Sequence, residues 1–265
     1  MTTLTLVTGG LLALASGVVY AYVGHRIGQR RVVGEAALPL GAFAIWWQSL
    51  AAITIITALA TIAASFDWLD ADLYVALSYF TLMLLSVGLG CLLHYLVFLF
   101  TGRLRWWRPI VAAYAAYLVF LIYVVRSHLP MGVERQRWQI AVHYERPLAG
   151  DPLFAWAVVL LIAPPLLSAL AYGSLAYRVR ERALRYRITV VAASILVWFG
   201  SALAASLSGY DNSDGWQLGS RLIGLAAALC ILAGYYPPRP LRRRFGLVSI
   251  EEPVAASPRP TRPQR

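Results

Sequence analysis

The sequence contains no lysine, and all 23 of its basic residues are arginine. Any chemistry that depends on a lysine amine is therefore excluded for this chain. Only 13% of the 265 residues are charged, whereas 60% are hydrophobic. Soluble domains contain about 25% charged residues, so this composition indicates a polytopic membrane protein. Cys91 and Cys230 both lie in apolar runs, and they predict neither a disulfide framework nor an oxidising compartment.

The sequence also lacks the motifs on which common enzymes depend. It has no Ser-His-Asp set, glycine-rich phosphate loop, zinc-binding cysteine pair or paired carboxylates within an apolar run. We therefore expect a non-enzymatic protein without catalytic residues, metal or cofactor. Cys91 and His94 have the spacing of neighbouring helix ligands, but two ligands do not make a metal site. Haem ligation by His25 and His94 is disfavoured because His25 lies among arginines, where it should face lipid headgroups.

Seven apolar runs dominate the chain, and each is long enough to cross a bilayer at about 1.5 Å per residue. They predict an all-α fold, a seven-helix transmembrane bundle within residues 1–238. The predicted helices span residues 4–23, 39–65, 73–101, 109–125, 152–177, 188–209 and 216–236. Residues 239–265 are basic and rich in proline, so we predict a mostly disordered tail that is dispensable for folding after Arg244.

Arginine is distributed unequally between the two sides of this predicted bundle. The segments on the side of the tail hold 18 arginines and 4 acidic residues, whereas the opposite segments hold 4 arginines and 8 acidic residues. The positive-inside rule then places the N-terminus outside and the tail in the cytoplasm, across the inner (cytoplasmic) membrane. This topology explains the net charge of +11, so we expect the lipid bilayer, and no nucleic acid, as a partner. The first apolar run is followed rather than preceded by arginines, which argues against a signal peptide.

The longest predicted outer segment, residues 126–151, contains a short alternating pattern. Every second residue from Trp138 to Tyr144 is apolar, and this period of two indicates a β-strand. A single amphipathic strand needs a partner for its backbone groups and its apolar face. We therefore predict a short β-like cap between helices 4 and 5, over the outer mouth of the bundle.

Polar side chains within the apolar runs are candidates for ligand binding, because each needs a partner or a wet cavity. Gln48 and His94 are predicted at similar depths near the cytoplasmic side. One interhelical hydrogen bond is the plainer explanation for His94. Trp198 is a further candidate on a small-residue face of helix 6, although an aromatic residue at helical spacing is more often part of the core.

Arg221 is the one charged residue inside a predicted span, about 7 Å from the outer end of helix 7. Its guanidinium cannot lose its proton, so it must reach the surface or meet an acceptor within the bundle. We predict that it faces inward beneath the cap, paired with Asp211 or Asp214 and close to Tyr79. Two interpretations remain, a structural ion pair and a binding site for an anionic ligand.

Three short motifs resemble the seven-helix membrane input regions of bacterial sensor histidine kinases. They are AIWWQSL at residues 44–50, YLVFLFTGR at 95–103 and SHLP at 127–130. The resemblance implies a bundle that senses or binds a small or lipidic ligand and signals through a partner protein at its basic cytoplasmic loops. The layout also looks like that of opsins, but a retinal Schiff base needs a lysine and is excluded. A small-molecule transporter or an accessory membrane subunit of a larger complex is the alternative.

Overall fold

The structure is a computed structural model that describes residues 2–29, 37–146, 148, 151–208 and 214–247. Among these residues, seven helices are long and apolar enough to cross a membrane, so the chain is an all-α polytopic protein. The helices are α1 (Thr2–Gly28), α2 (Ala37–Ser65), α3 (Ala71–Thr101), α4 (Trp107–Arg126), α5 (Pro152–Arg178), α6 (Arg182–Ser208), α7 (Asp214–Tyr235) and the short α8 (Arg239–Phe245).

Most helix ends lie within two residues of the predicted positions, because capping residues lie where the apolar runs begin and end. Asp70 caps α3 by accepting a hydrogen bond from the Asp72 N–H at 3.2 Å. Gly102 ends the same helix in the left-handed conformation, which glycine adopts without steric cost. Asp151 caps α5 by accepting from the Leu153 N–H at 2.8 Å.

Three arginine-containing segments differ from the prediction, because arginine is a good helix former even where the chain is too polar to cross a bilayer. Helix α1 continues to Gly28, five residues beyond the predicted end at residue 23. Helix α6 begins at Arg182, six residues before the predicted start at residue 188. Residues 239–245, predicted as part of a disordered tail, form α8. The ring of Phe245 stacks on Tyr186 of α6 with 5.1 Å between ring centroids. Residues 248–265 of the predicted tail lie outside the described residues.

A row of three glycines brings α1 close to α2. Gly10, Gly17 and Gly24 recur every seven residues along α1. A Cβ at Gly10 would lie 2.6 Å from the Ile62 side chain, and a Cβ at Gly17 would lie 2.7 Å from that of Ile55. Real Cβ atoms essentially never approach another heavy atom this closely. Glycine therefore allows the two backbones to approach, as small residues do in membrane helix pairs.

Aromatic side chains form the centre of the bundle. Trp46 and Trp47 of α2 are each only 1% exposed. Trp47 stacks on Tyr20 of α1 with 5.8 Å between ring centroids, and Trp46 stacks on Phe199 of α6 at 5.7 Å. Because lipid tails are as apolar as these rings, close packing rather than exclusion of water stabilises such contacts within a bilayer.

An antiparallel β-hairpin lies between α4 and α5. Its strands are β1 (Pro130–Arg135) and β2 (Ile140–Tyr144), and their register shifts between Pro130 and Gly132. Trp138, in the connecting turn, lies against Gly9 of α1, where any Cβ would collide with the Trp138 carbonyl oxygen. Arg135 of β1 forms an ion pair with Asp67, in the connection between α2 and α3. The hairpin therefore packs on the start of α1 and on the α2–α3 connection.

The two ends of the bundle differ in charge. We call the end with the hairpin and residues 66–70 the hairpin end. The opposite end, which we call the arginine-rich end, contains residues 102–106, residues 179–181 and α8. Since consecutive long helices alternate in direction, the C-terminal end of α7 also lies at the arginine-rich end, and its start lies at the hairpin end.

Candidate functional site

A polar cavity of about 280 Å³ lies between α1, α2, α6 and α7. We call it the Arg221 cavity. Its main polar lining residues are Ser16, Tyr20, Thr54, Thr57, Ser220 and Arg221. All five hydroxyls donate to backbone carbonyls, four of them within their own helix and that of Tyr20 to α7. Their oxygens can still accept hydrogen bonds, so among these six side chains only Arg221 has donors available to a ligand.

Arg221 lies on α7, and its Nε atom is buried without a hydrogen-bond partner. In the part of the chain that the structure describes, no carboxylate forms an ion pair with it. The Tyr74 side chain of α3 is close enough to interact with it electrostatically, and the Tyr74 hydroxyl itself donates to the Ile140 carbonyl at 2.9 Å. A buried cation without an anion is unfavourable, so this cavity is suited to an anionic group.

The predicted ion pair between Arg221 and Asp214 does not form in the structure. Asp214 instead accepts a hydrogen bond from Arg137 of the hairpin turn at 3.1 Å. The reason is position, because Asp214 begins α7 at the surface, whereas Arg221 lies two turns deeper. The other predicted partner, Asp211, lies outside the described residues.

Tyr79 does not take the predicted position near Arg221. It packs with Tyr144 of the hairpin in a separate apolar cluster between α3, α4 and α5. Burial, and to a lesser extent the Tyr79 and Tyr74 hydroxyls, raises the pKa of Tyr144 to about 12. Tyr74 is the tyrosine of α3 that lies near Arg221, because five residues along a helix correspond to a rotation of about 140°.

Trp198 of α6 lines the same cavity as Arg221. Its ring meets that of Phe199 edge-on, with 4.8 Å between the centroids. Packing against the aromatic core fixes the indole as one wall of the cavity. The structure therefore places Trp198 and Arg221, which the sequence indicated separately, in one cavity.

Gln48 and His94 do not belong to this cavity, nor do they form a common cluster. Gln48 is exposed and lies beside Gly24 of α1. His94 is 5% exposed and lines a different, apolar groove between α2, α3 and α4. The depth along each helix was similar, but the two side chains point to different faces of α2 and α3.

Histidine and cysteine side chains were the candidates for metal or haem ligation. Cys91 and His94 line the same groove. Nevertheless, no three His, Cys, Asp or Glu side chains gather as a metal site among the described residues. His25 is exposed near the end of α1, where its Nε2 lies 2.8 Å from the amide nitrogen of Gln29.

Gln217, which the sequence analysis did not single out, joins the hairpin to α7 one turn from Arg221. Its side chain is 1% exposed. The carbonyl oxygen accepts from the Trp138 backbone N–H at 3.2 Å, and the amide nitrogen donates to the Gln136 side chain at 2.9 Å. The sequence signal for this contact was the position of Gln217, four residues before Arg221. Residues four apart share a helix face, so Gln217 lies on the same side of α7 as the one charged residue in a predicted span.

A second polar contact that the sequence did not reveal joins α4 to the start of α5. His128 contacts the Arg146 carbonyl through Nδ1 at 2.9 Å and the Asp151 carboxylate through Nε2 at 2.6 Å. The Leu153 N–H, and next the His128 side chain, lower the pKa of Asp151. Both hydrogen bonds favour the ionised carboxylate.

The Arg221 cavity can therefore hold a small anion, with the guanidinium as donor and Trp198 as an apolar wall, and the hydroxyl oxygens can accept only from a protonated group of the ligand. The hairpin lies beyond Gln217 on the side of the cavity nearer the hairpin end. No protein-family model matches this sequence, and no curated protein matches it significantly.

Proposed function

We propose that this chain is a non-enzymatic seven-helix protein of the cytoplasmic membrane, which binds a small anionic ligand in the Arg221 cavity and signals to a partner protein. The observation that supports this best is Arg221 itself, a permanent cation that lines an internal cavity with its Nε atom unpaired. An anion there would remove the cost of an uncompensated charge. The ligand needs only to bind, and no reaction is required for a response.

In this proposal the hairpin end is outside and the arginine-rich end is in the cytoplasm. The arginines in residues 102–106, residues 179–181 and α8 agree with the positive-inside rule. The opposite end has the aspartates of residues 67–72 and the hairpin. The hairpin is then an outer cap, and the ligand reaches the cavity from outside.

The proposed partner binds at the arginine-rich end. Arg103, Arg180 and Arg243 are exposed there on three separate elements, so this surface suits an acidic partner. Helix α7 connects the two regions, because Arg221 lies in it and α8 follows directly after it. Any shift of α7 on ligand binding would therefore reach α8.

Anion binding by the purified protein in lipid nanodiscs tests the proposal, with inorganic phosphate, acetate and succinate as probes. We expect at least one probe to raise the midpoint of thermal unfolding saturably. A ligand at 100 times its Kd stabilises the folded protein by about 2.7 kcal/mol. Arg221→Gln keeps a polar side chain but removes the charge, so this variant should fold and lose the response.

Arg137→Gln is the matched control, because Arg137 is an exposed arginine that pairs with Asp214 at the surface. It should respond to the probe as the wild type does. The proposal fails if Arg221→Gln retains the full response, or if the wild type responds to none of the three probes. Saturable transport of a bound probe into proteoliposomes would instead identify a transporter.

A further inference from the structure

A second cavity, of about 590 Å³, lies beside a different face of α2 from the one that packs on the row of glycines. Helix α3 forms its floor, and α2 and α4 form its walls. We call it the α2–α4 groove. Its largest apolar lining residues are Leu38, Ile45, Val87, Trp107, Val111 and Leu118. None of the residues that line it is charged, which distinguishes it from the Arg221 cavity.

The groove is open on its side, within the length of the helices. Ile45 and Val87 lie well inside α2 and α3, line the groove and are each about half exposed. Exposed apolar side chains in the middle of membrane-spanning helices face hydrocarbon. Molecules dissolved in the bilayer can therefore enter the groove directly from the lipid.

Three polar groups without partners lie in this apolar groove. Ser86 is 2% exposed and His94 is 5% exposed, and neither the Ser86 Oγ nor the His94 Nε2 has a hydrogen-bond partner. The Tyr114 hydroxyl is also buried without a partner, and the Tyr114 ring lies against Gly90, between the other two along α3. An unsatisfied polar group is costly, and no water is available from a surrounding hydrocarbon layer.

We infer that the α2–α4 groove binds a neutral, membrane-dissolved molecule with an elongated apolar body and at least one hydrogen-bonding oxygen. Quinones and long-chain alcohols have this chemistry. The absence of charged lining residues selects against anionic lipids. Ser86 and His94 are eight residues apart, about 12 Å along α3, so an extended molecule can reach both groups.

A helix from a second copy of this chain fits the observations less well. The backbone groups of a membrane helix are already satisfied within that helix. An apolar helix in the groove would leave the buried Ser86, His94 and Tyr114 groups unpaired. A ligand oxygen can accept from the serine or tyrosine hydroxyl, and a ligand hydroxyl can also donate to histidine.

The test measures equilibrium binding of two radiolabelled probes, a short-chain isoprenoid quinone and hexadecanol, to the full chain in nanodiscs. We expect one molecule of at least one probe to bind saturably per chain. At least one of the variants Ser86→Ala and His94→Leu should weaken binding of a given probe about three- to tenfold, because it removes the hydrogen bond to that probe's oxygen. Binding of the quinone alone would show that the groove selects a carbonyl oxygen. Binding of both probes would show that it accepts a carbonyl or a hydroxyl oxygen.

Substitutions that fill the groove provide the most direct test. A Cβ at Gly41 meets no atom within 4 Å, so Gly41→Phe can start a side chain there and place its ring in the groove. It should abolish saturable binding. Gly219→Phe makes the same change at another open position, on α7, and should bind as the wild type does. Ala115→Leu, at another lining residue, provides a second filled groove if Gly41→Phe does not fold.

Two results would overturn the inference. The first is no saturable binding of either probe to the wild type. The second is equal binding by the wild type and by the folded variants with filled grooves. A dimer of the wild type that dissociates in Gly41→Phe would show that a second copy occupies the groove, and it would also overturn the inference. The Arg221 cavity takes no part in these measurements.

Discussion

Gln217→Leu should loosen the hairpin without unfolding the bundle. The substitution removes two hydrogen bonds and leaves the Trp138 N–H without its acceptor. An unsatisfied buried donor costs about 1–3 kcal/mol. The Gln136 side chain keeps its hydrogen bond from Gln139 at 3.0 Å, so this cost applies mainly to one group. The equilibrium for local opening of the hairpin should therefore rise about 5- to 150-fold.

Hydrogen exchange of the protein in nanodiscs measures this opening, because the amides that are hydrogen-bonded between β1 and β2 exchange only when the hairpin opens. Gln48→Leu is the matched control. It makes the same chemical change at an exposed position, so exchange in the hairpin should match that of the wild type. Equal protection of the hairpin in Gln217→Leu and the wild type would refute the reasoning, as would equal loss of protection in both variants.

Two further predictions concern Asp151 and the C-terminal segment. Thermal stability should decrease as the pH falls from the ordinary aspartate pKa of about 3.9 through the lower pKa of Asp151. The reason is that a carboxyl group with a depressed pKa stabilises the fold only while it is ionised. Asp151→Asn retains a capping oxygen and should reduce this decrease in a pH series of melting curves, and an unchanged series would contradict it. Truncation after Leu247 should leave the melting temperature unchanged, whereas truncation after Arg244, which composition alone predicted to be harmless, should lower it by several degrees. The shorter chain loses the stacked ring of Phe245 and the buried side chain of Leu247, worth about 2 kcal/mol, and equal melting temperatures would refute this.

The number and approximate bounds of the long helices could be predicted because a bilayer requires about twenty apolar residues for each crossing. The alternation from Trp138 to Tyr144 likewise overlaps β2, which begins two residues later, at Ile140. Hydropathy failed at Arg182 and in residues 239–245, because it measures transfer into lipid rather than helix formation. Those segments are helical outside the most apolar runs, so hydropathy contains no signal for them.

The candidate site was less predictable than the fold, because it depends on how each helix is rotated about its axis. Arg221 could be identified from its charge alone. Depth favoured Tyr79, which lies about 7.5 Å further along α3 than Tyr74, but only the packing of α3 decides which ring faces α7. Gln48 was expected to be internal, yet the glycine row of α1 packs so closely that its polar end remains exposed beside Gly24.

The glycine row also limits how the protein can change shape. The side chains of Ile55 and Ile62 lie over glycines, and a slide of α1 by one turn, about 5.4 Å, would set them against residues that have side chains. Because these glycines recur every seven residues, only a slide of seven residues would place the isoleucines over glycines of the row again. Helices α1 and α2 therefore cannot move past each other like a piston, and they can shift only as one rigid pair.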